Sequence, residues 1–100
     1  MSWATAAKEK LMAGETVTIR PRGHSMTGKV NDGDKVTLIP VSGIALQVGD
    51  IVLVRVAGND YLHLIKAISE ERFLIGNNRG GLNGWTQRTN IFGMAVNIED

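Results

Sequence analysis

Three residues carry side chains of the right type for chemistry: Ser25, set in Arg22-Gly23-His24-Ser25-Met26, and the two histidines His24 and His63. A serine hydroxyl is a weak nucleophile at its own pKa and attacks only when a neighbouring base takes its proton. Beside a glycine in a turn, Ser25 is sterically accessible, and its own backbone N–H can face a bound carbonyl oxygen. Serine in such a turn also serves as a plain turn former or cap. Ser25 alone therefore does not define a site.

Other chemistries find less to work with. The chain has no cysteine, which removes disulfides, thiolate nucleophiles and Cys-based metal sites. His24 and His63 lie far apart in the chain with no carboxylate at ligand spacing, so neither a metal nor another cofactor is expected. Acidic residues are scattered singly, without a pair suited to glycoside hydrolysis. The stretch Gly76 to Gly84 is glycine-rich but lacks the Gly-Lys-Ser/Thr of a phosphate loop. Lys and Arg number 11 against 10 Asp and Glu, and aromatics make up only 5%. That balance argues against nucleic acid as a partner, since phosphate binding needs a clustered basic surface and single strands need stacking platforms. No apolar run reaches the ~18–20 residues of a membrane span, and the N-terminus lacks the basic and apolar regions of a signal peptide. A soluble, cytoplasmic protein without nucleic acid as its partner is expected.

The elements that must position Ser25 follow from the change of hydrophobic period along the chain. Ser2 to Ala13 is rich in helix formers, with Ser2 as N-cap, Gly14 as stop, and Trp3, Ala6, Ala7 and Leu11 on one face. After Gly14 the pattern is β-branched and alternating. Strands are expected over Glu15–Arg20, Lys35–Val41, Ile51–Ala57, Tyr61–Ile68, Arg72–Gly76 and Thr89–Val96. Asn31-Asp32-Gly33-Asp34 and Gly58-Asn59-Asp60 supply turns, and Gly76 to Gly84 reads as a loop. The expectation is a mainly β barrel or sandwich forming one domain over 1–100, with a helix in 1–14 and the β domain in 15–100.

Four landmarks in order resemble the LexA-like and signal-peptidase superfamily of serine peptidases. They are Gly23-His24-Ser25-Met26 with the following Gly33-Asp34; Gly49-Asp50-Ile51-Val52; the hairpin strand Tyr61-Leu62-His63-Leu64-Ile65-Lys66; and Gly76-Asn77-Asn78-Arg79 with Ile91-Phe92-Gly93-Met94-Ala95-Val96. The resemblance covers roughly Thr18 to Val96 and implies a LexA/signal-peptidase-like β-rich, barrel-type fold. Ser25 is then the nucleophile, and its base is either a desolvated lysine or a histidine. Both types are present, three residues apart. Alternation on a strand puts His63 and Lys66 on opposite faces, so only one can meet Ser25 without a bulge. Alignment with the family box selects His63, which needs no large pKa shift to act at neutral pH; Lys66 is the alternative base.

The resemblance also implies an oxyanion hole and substrate groove around Gly23, His24 and Met26, and an orienting group for the histidine within Gly76 to Trp85, where Asn77, Asn78 and Asn83 stand and Asn77 and Asn78 are the expected choice. Three positions depart from the signal-peptidase pattern: Gly23 replaces a hydroxyl residue, Gly28 a proline and Asn77 an aspartate. Two readings stay open, a serine endopeptidase with a Ser25–His63 dyad and a non-catalytic domain that binds an extended peptide in the same groove.

Overall fold

A computed structural model describes residues 3–100. The expected N-cap Ser2 lies outside the described residues. Helix α1 spans Thr5–Met12. Its end follows the chemistry of Gly14, which takes φ +86°. The Gly14 N–H donates to the Leu11 carbonyl and the Glu15 N–H to the Lys10 carbonyl, closing the left-handed cap of a Schellman motif. The buried face is Ala4, Ala7 and Leu11; Ala6 and Trp3, expected on that face, are exposed.

Seven strands follow: β1 (Val17–Ile19), β2 (Lys35–Pro40), β3 (Ile51–Val56), β4 (Asn59–Ser69), β5 (Arg72–Gly76), β6 (Leu82–Gln87) and β7 (Ile91–Glu99). They form one antiparallel sheet in the order β1-β2-β7-β3-β4-β5-β6. The fold is mainly β, as the alternating pattern predicts. The sheet is not closed by a ladder, since β1 and β6 are its edges. It nevertheless curls: β6 comes back over β3, where the buried Thr86 hydroxyl donates to the Arg55 carbonyl at 3.0 Å.

Period-two side-chain placement divides the core between the two faces. On β3, Leu53 joins Leu38, Leu62, Leu64 and Leu11 under the helix, while Val52, Val54 and Val56 pack with Ile65, Phe73 and Ile75. Chain reversal between β3 and β4 uses Ala57 and Gly58, both at positive φ, the geometry that matches strand twist in a two-residue hairpin. No described helix is long and apolar enough to cross a membrane.

The sequence reading missed one strand. Leu82-Asn83-Gly84 was expected to belong to a loop, but it begins β6, and the true connection is only residues 77–81. Cross-strand pairing along β5 overrides the weak strand propensity of Asn and Gly. That tight connection demands glycine at 76, where a Cβ would stand 2.5 Å from the Gly81 carbonyl oxygen. A Gly76→Ala substitution should therefore strain the β5–β6 hairpin and cost about 1–3 kcal/mol, read as a lower urea midpoint. An unchanged midpoint would contradict this packing.

Candidate active site

Ser25 stands in the turn between β1 and β2, and a set of side-chain-to-backbone hydrogen bonds fixes that turn. The Asp32 carboxylate accepts the Gly23 N–H at 2.7 Å, the Asp34 carboxylate accepts the Asn31 N–H at 2.8 Å, and the Asn31 amide oxygen accepts the Gly28 N–H at 3.1 Å. Short Asp and Asn side chains suit this work because they reach the backbone a few residues away. Gly28 adopts φ +99°, which proline, locked near −65°, cannot take. A proline at position 28 therefore does not fit this turn. Gly23 at φ +111° likewise resists the hydroxyl-bearing residue of that pattern, because L side chains are strained there.

The β5–β6 connection holds the turn from the other side. The Asn78 N–H donates to the Ser25 carbonyl at 3.0 Å, and its side-chain amide donates to the Thr27 carbonyl at 2.9 Å. Met26, next to the exposed Ser25, is 4% exposed and anchors the turn in the core beneath α1.

Opposite Ser25, His63 projects from β4. The Ser25 hydroxyl and His63 Nε2 are 3.1 Å apart, a hydrogen-bond distance. His63 Nδ1 lies 2.7 Å from the side-chain oxygen of Asn83. An amide oxygen only accepts, so Nδ1 carries the ring proton and Nε2 is left as the acceptor for the Ser25 hydroxyl. The Tyr61 ring stacks on the imidazole with centroids 4.8 Å apart and planes 20° from parallel, which fixes the ring from its face. Burial disfavours the charged imidazolium and lowers the His63 pKa from its ordinary 6.5, while the hydrogen bond to Asn83 opposes the shift.

Register shifts on the two sides of β5 place Asn83 and Lys66. Between β5 and β6 the register shifts, so that Gly84 faces Ile75 and Leu82 faces Gly76. Asn83 is the extra residue, turned toward His63. Between β4 and β5 the shift leaves Lys66 unpaired. Bulges of this kind re-aim side chains beside functional sites.

Lys66 is half-buried, its stem lying against Gly76, and it does not line the cleft at Ser25. His63 is the residue against Ser25, not Lys66. Asn77 and Asn78 do not touch the imidazole. The Asn77 side-chain oxygen accepts the Arg79 and Gly81 N–H groups at 2.8 Å each, capping the 77–81 turn, and Asn78 is committed to the Ser25 turn. The group on Nδ1 is Asn83, the third asparagine of the stretch, rather than the expected Asn77 or Asn78.

An open cleft of about 360 Å³ lies beside the pair. Ser25, His63, Met26, Tyr61, Arg20 and Arg22 are among its walls. Gly23 lines it too, but its N–H is taken by Asp32 and cannot serve as an oxyanion donor. His24 does not line the cleft; it is exposed, and its carbonyl accepts the Thr27 hydroxyl. Among the described residues the Ser25 N–H has no intramolecular acceptor, so it is available to a bound carbonyl oxygen. No group of three or more potential metal ligands occurs among the described residues. The chain matches no protein-family model and no curated protein sequence.

An Asn83→Asp variant should raise the His63 pKa, because a carboxylate on Nδ1 favours imidazolium. A pH titration of the His63 ring signal by NMR checks this, with His63→Gln to assign the resonance; a value unchanged or lower in Asn83→Asp would contradict the assignment. In the native chain the folded His63 pKa lies below 6.5. Its contribution to stability is therefore fully present above pH 6.5 and lost as pH falls through the folded value.

Proposed function

We propose that this chain is a serine endopeptidase of the LexA-like and signal-peptidase type, with Ser25 as nucleophile and His63 as general base. The observation that carries the reading is the pairing of the Ser25 hydroxyl with an acceptor nitrogen of a neutral histidine at 3.1 Å, at the wall of an open cleft. Ser25 Oγ attacks the scissile carbonyl carbon while His63 Nε2 takes the hydroxyl proton. The Ser25 N–H faces the developing oxyanion. His63 then returns the proton to the leaving amine, and water hydrolyses the acyl-enzyme with His63 again acting as base.

Asn83 holds the imidazole in the productive tautomer but brings no negative charge to stabilise imidazolium. In a Ser-His-Asp triad the carboxylate also stabilises the imidazolium that forms in the reaction, so a slower enzyme is expected. The same neutral amide favours the second reading, a domain that holds an extended peptide without cutting it.

Incubation of wild type and Ser25→Ala with a diverse peptide mixture, followed by mass spectrometry, separates the two. Products from wild type alone are expected. Their rate of formation should rise with pH through a midpoint below 6.5 and level off at neutrality, because only neutral His63 accepts the proton. Identical peptide profiles for the two proteins across pH 5 to 9 would overturn the peptidase reading.

A further inference from the structure

We propose that the cleft beside Ser25 selects a peptide carboxylate, received by the guanidinium groups of Arg20 and Arg22; the inference rests on reading that cleft as a peptide site. Both arginines are exposed residues of the cleft wall, on the segment that leads from β1 into the Ser25 turn. Pro21 separates them and fixes the backbone between them.

Neither guanidinium is used up by the fold. Arg20 spends one nitrogen on the Gly33 carbonyl at 3.2 Å, which steadies the side chain and leaves the rest of the fork open. Arg22 stands 3.9 Å from Asp32, with the two side chains 82% and 42% exposed. A pair so long and so wet holds its partner only weakly. Asp32 itself is already committed to the Gly23 N–H.

The carboxylate in the cleft wall, Asp60, does not offset them. Its side chain is 7% exposed and faces inward, with Lys8 Nζ 2.9 Å and Arg55 3.4 Å away. Lys8 and Arg55 thus offset the charge of Asp60, the one acidic residue among the cleft's walls, and the exposed charges on those walls are the guanidinium groups of Arg20 and Arg22. A planar guanidinium matches a carboxylate with two parallel N–H donors, so an acidic side chain or a chain-terminal carboxylate is the ligand chemistry that fits.

The test uses immobilised Ser25→Ala protein and peptides with randomised neighbours, all N-acetylated. One pool carries Glu and an amidated C-terminus, one carries Gln at the same position and an amidated C-terminus, and one carries Gln with a free C-terminal carboxylate. Retention is read by mass spectrometry. At low salt, Glu peptides or free-carboxylate peptides should be enriched about fivefold over the Gln amides, and whichever pool is enriched identifies the source of the carboxylate. Enrichment should fall toward unity in 0.5 M NaCl and in Ser25→Ala/Arg20→Gln/Arg22→Gln. Equal retention of all pools, retention of none, or enrichment undiminished in the triple variant would each overturn the proposal. Carboxylate enrichment with no cleavage by wild type would sink the peptidase reading while leaving this one standing; cleavage with no acidic preference would do the reverse.

Discussion

The site depends on one hydrogen bond, from His63 Nδ1 to the side-chain oxygen of Asn83. A buried neutral imidazole has two tautomers, and only the one protonated on Nδ1 presents an acceptor to Ser25. Asn83 selects that tautomer, and the stacked Tyr61 ring keeps the imidazole plane where the choice is useful. Without an acceptor on Nδ1, a buried donor would be left unsatisfied, at a cost of about 1–3 kcal/mol. The geometry therefore makes His63 and Asn83 a unit.

The β5–β6 hairpin supports both halves of the pair. Its connection reaches one way, through Asn78, to the Ser25 carbonyl and the Thr27 carbonyl. Its second strand reaches the other way, through the bulged Asn83, to His63. The curl that brings β6 over β3 makes this double reach possible from a strand at the edge of the sheet. Ser25 and His63, 38 positions apart in the chain, thus share a support that belongs to neither of their own elements.

Much of the frame is legible in the chain itself. Ile51-Val52-Leu53-Val54 reads as a strand from its β-branched run, and Tyr61, His63 and Ile65 fall on one face by alternation alone. The Asn31-Asp32-Gly33-Asp34 cluster announces a turn, and its side chains do serve backbone N–H groups. Asn83 is different. Its role arises from a register shift, and register is set by how two strands pack, which no local pattern records. Glycines at 80, 81 and 84 give that stretch the appearance of a loop, although Gly84 sits within a strand. Lys66 is a candidate base only through the family resemblance; its place at a bulge is a property of the pairing with β5, which the sequence does not record.

The central claim is that His63 activates Ser25. Exposing the intact protein to a fluorophosphonate, and locating the adduct by peptide mass spectrometry, tests it most directly because no substrate need be known. The account predicts a single phosphonyl group on Ser25, formed at a rate that falls steeply in His63→Gln and stays near the wild-type value in Lys66→Gln. Labelling spread over several serines, or labelling of Ser25 that survives His63→Gln undiminished, would contradict it.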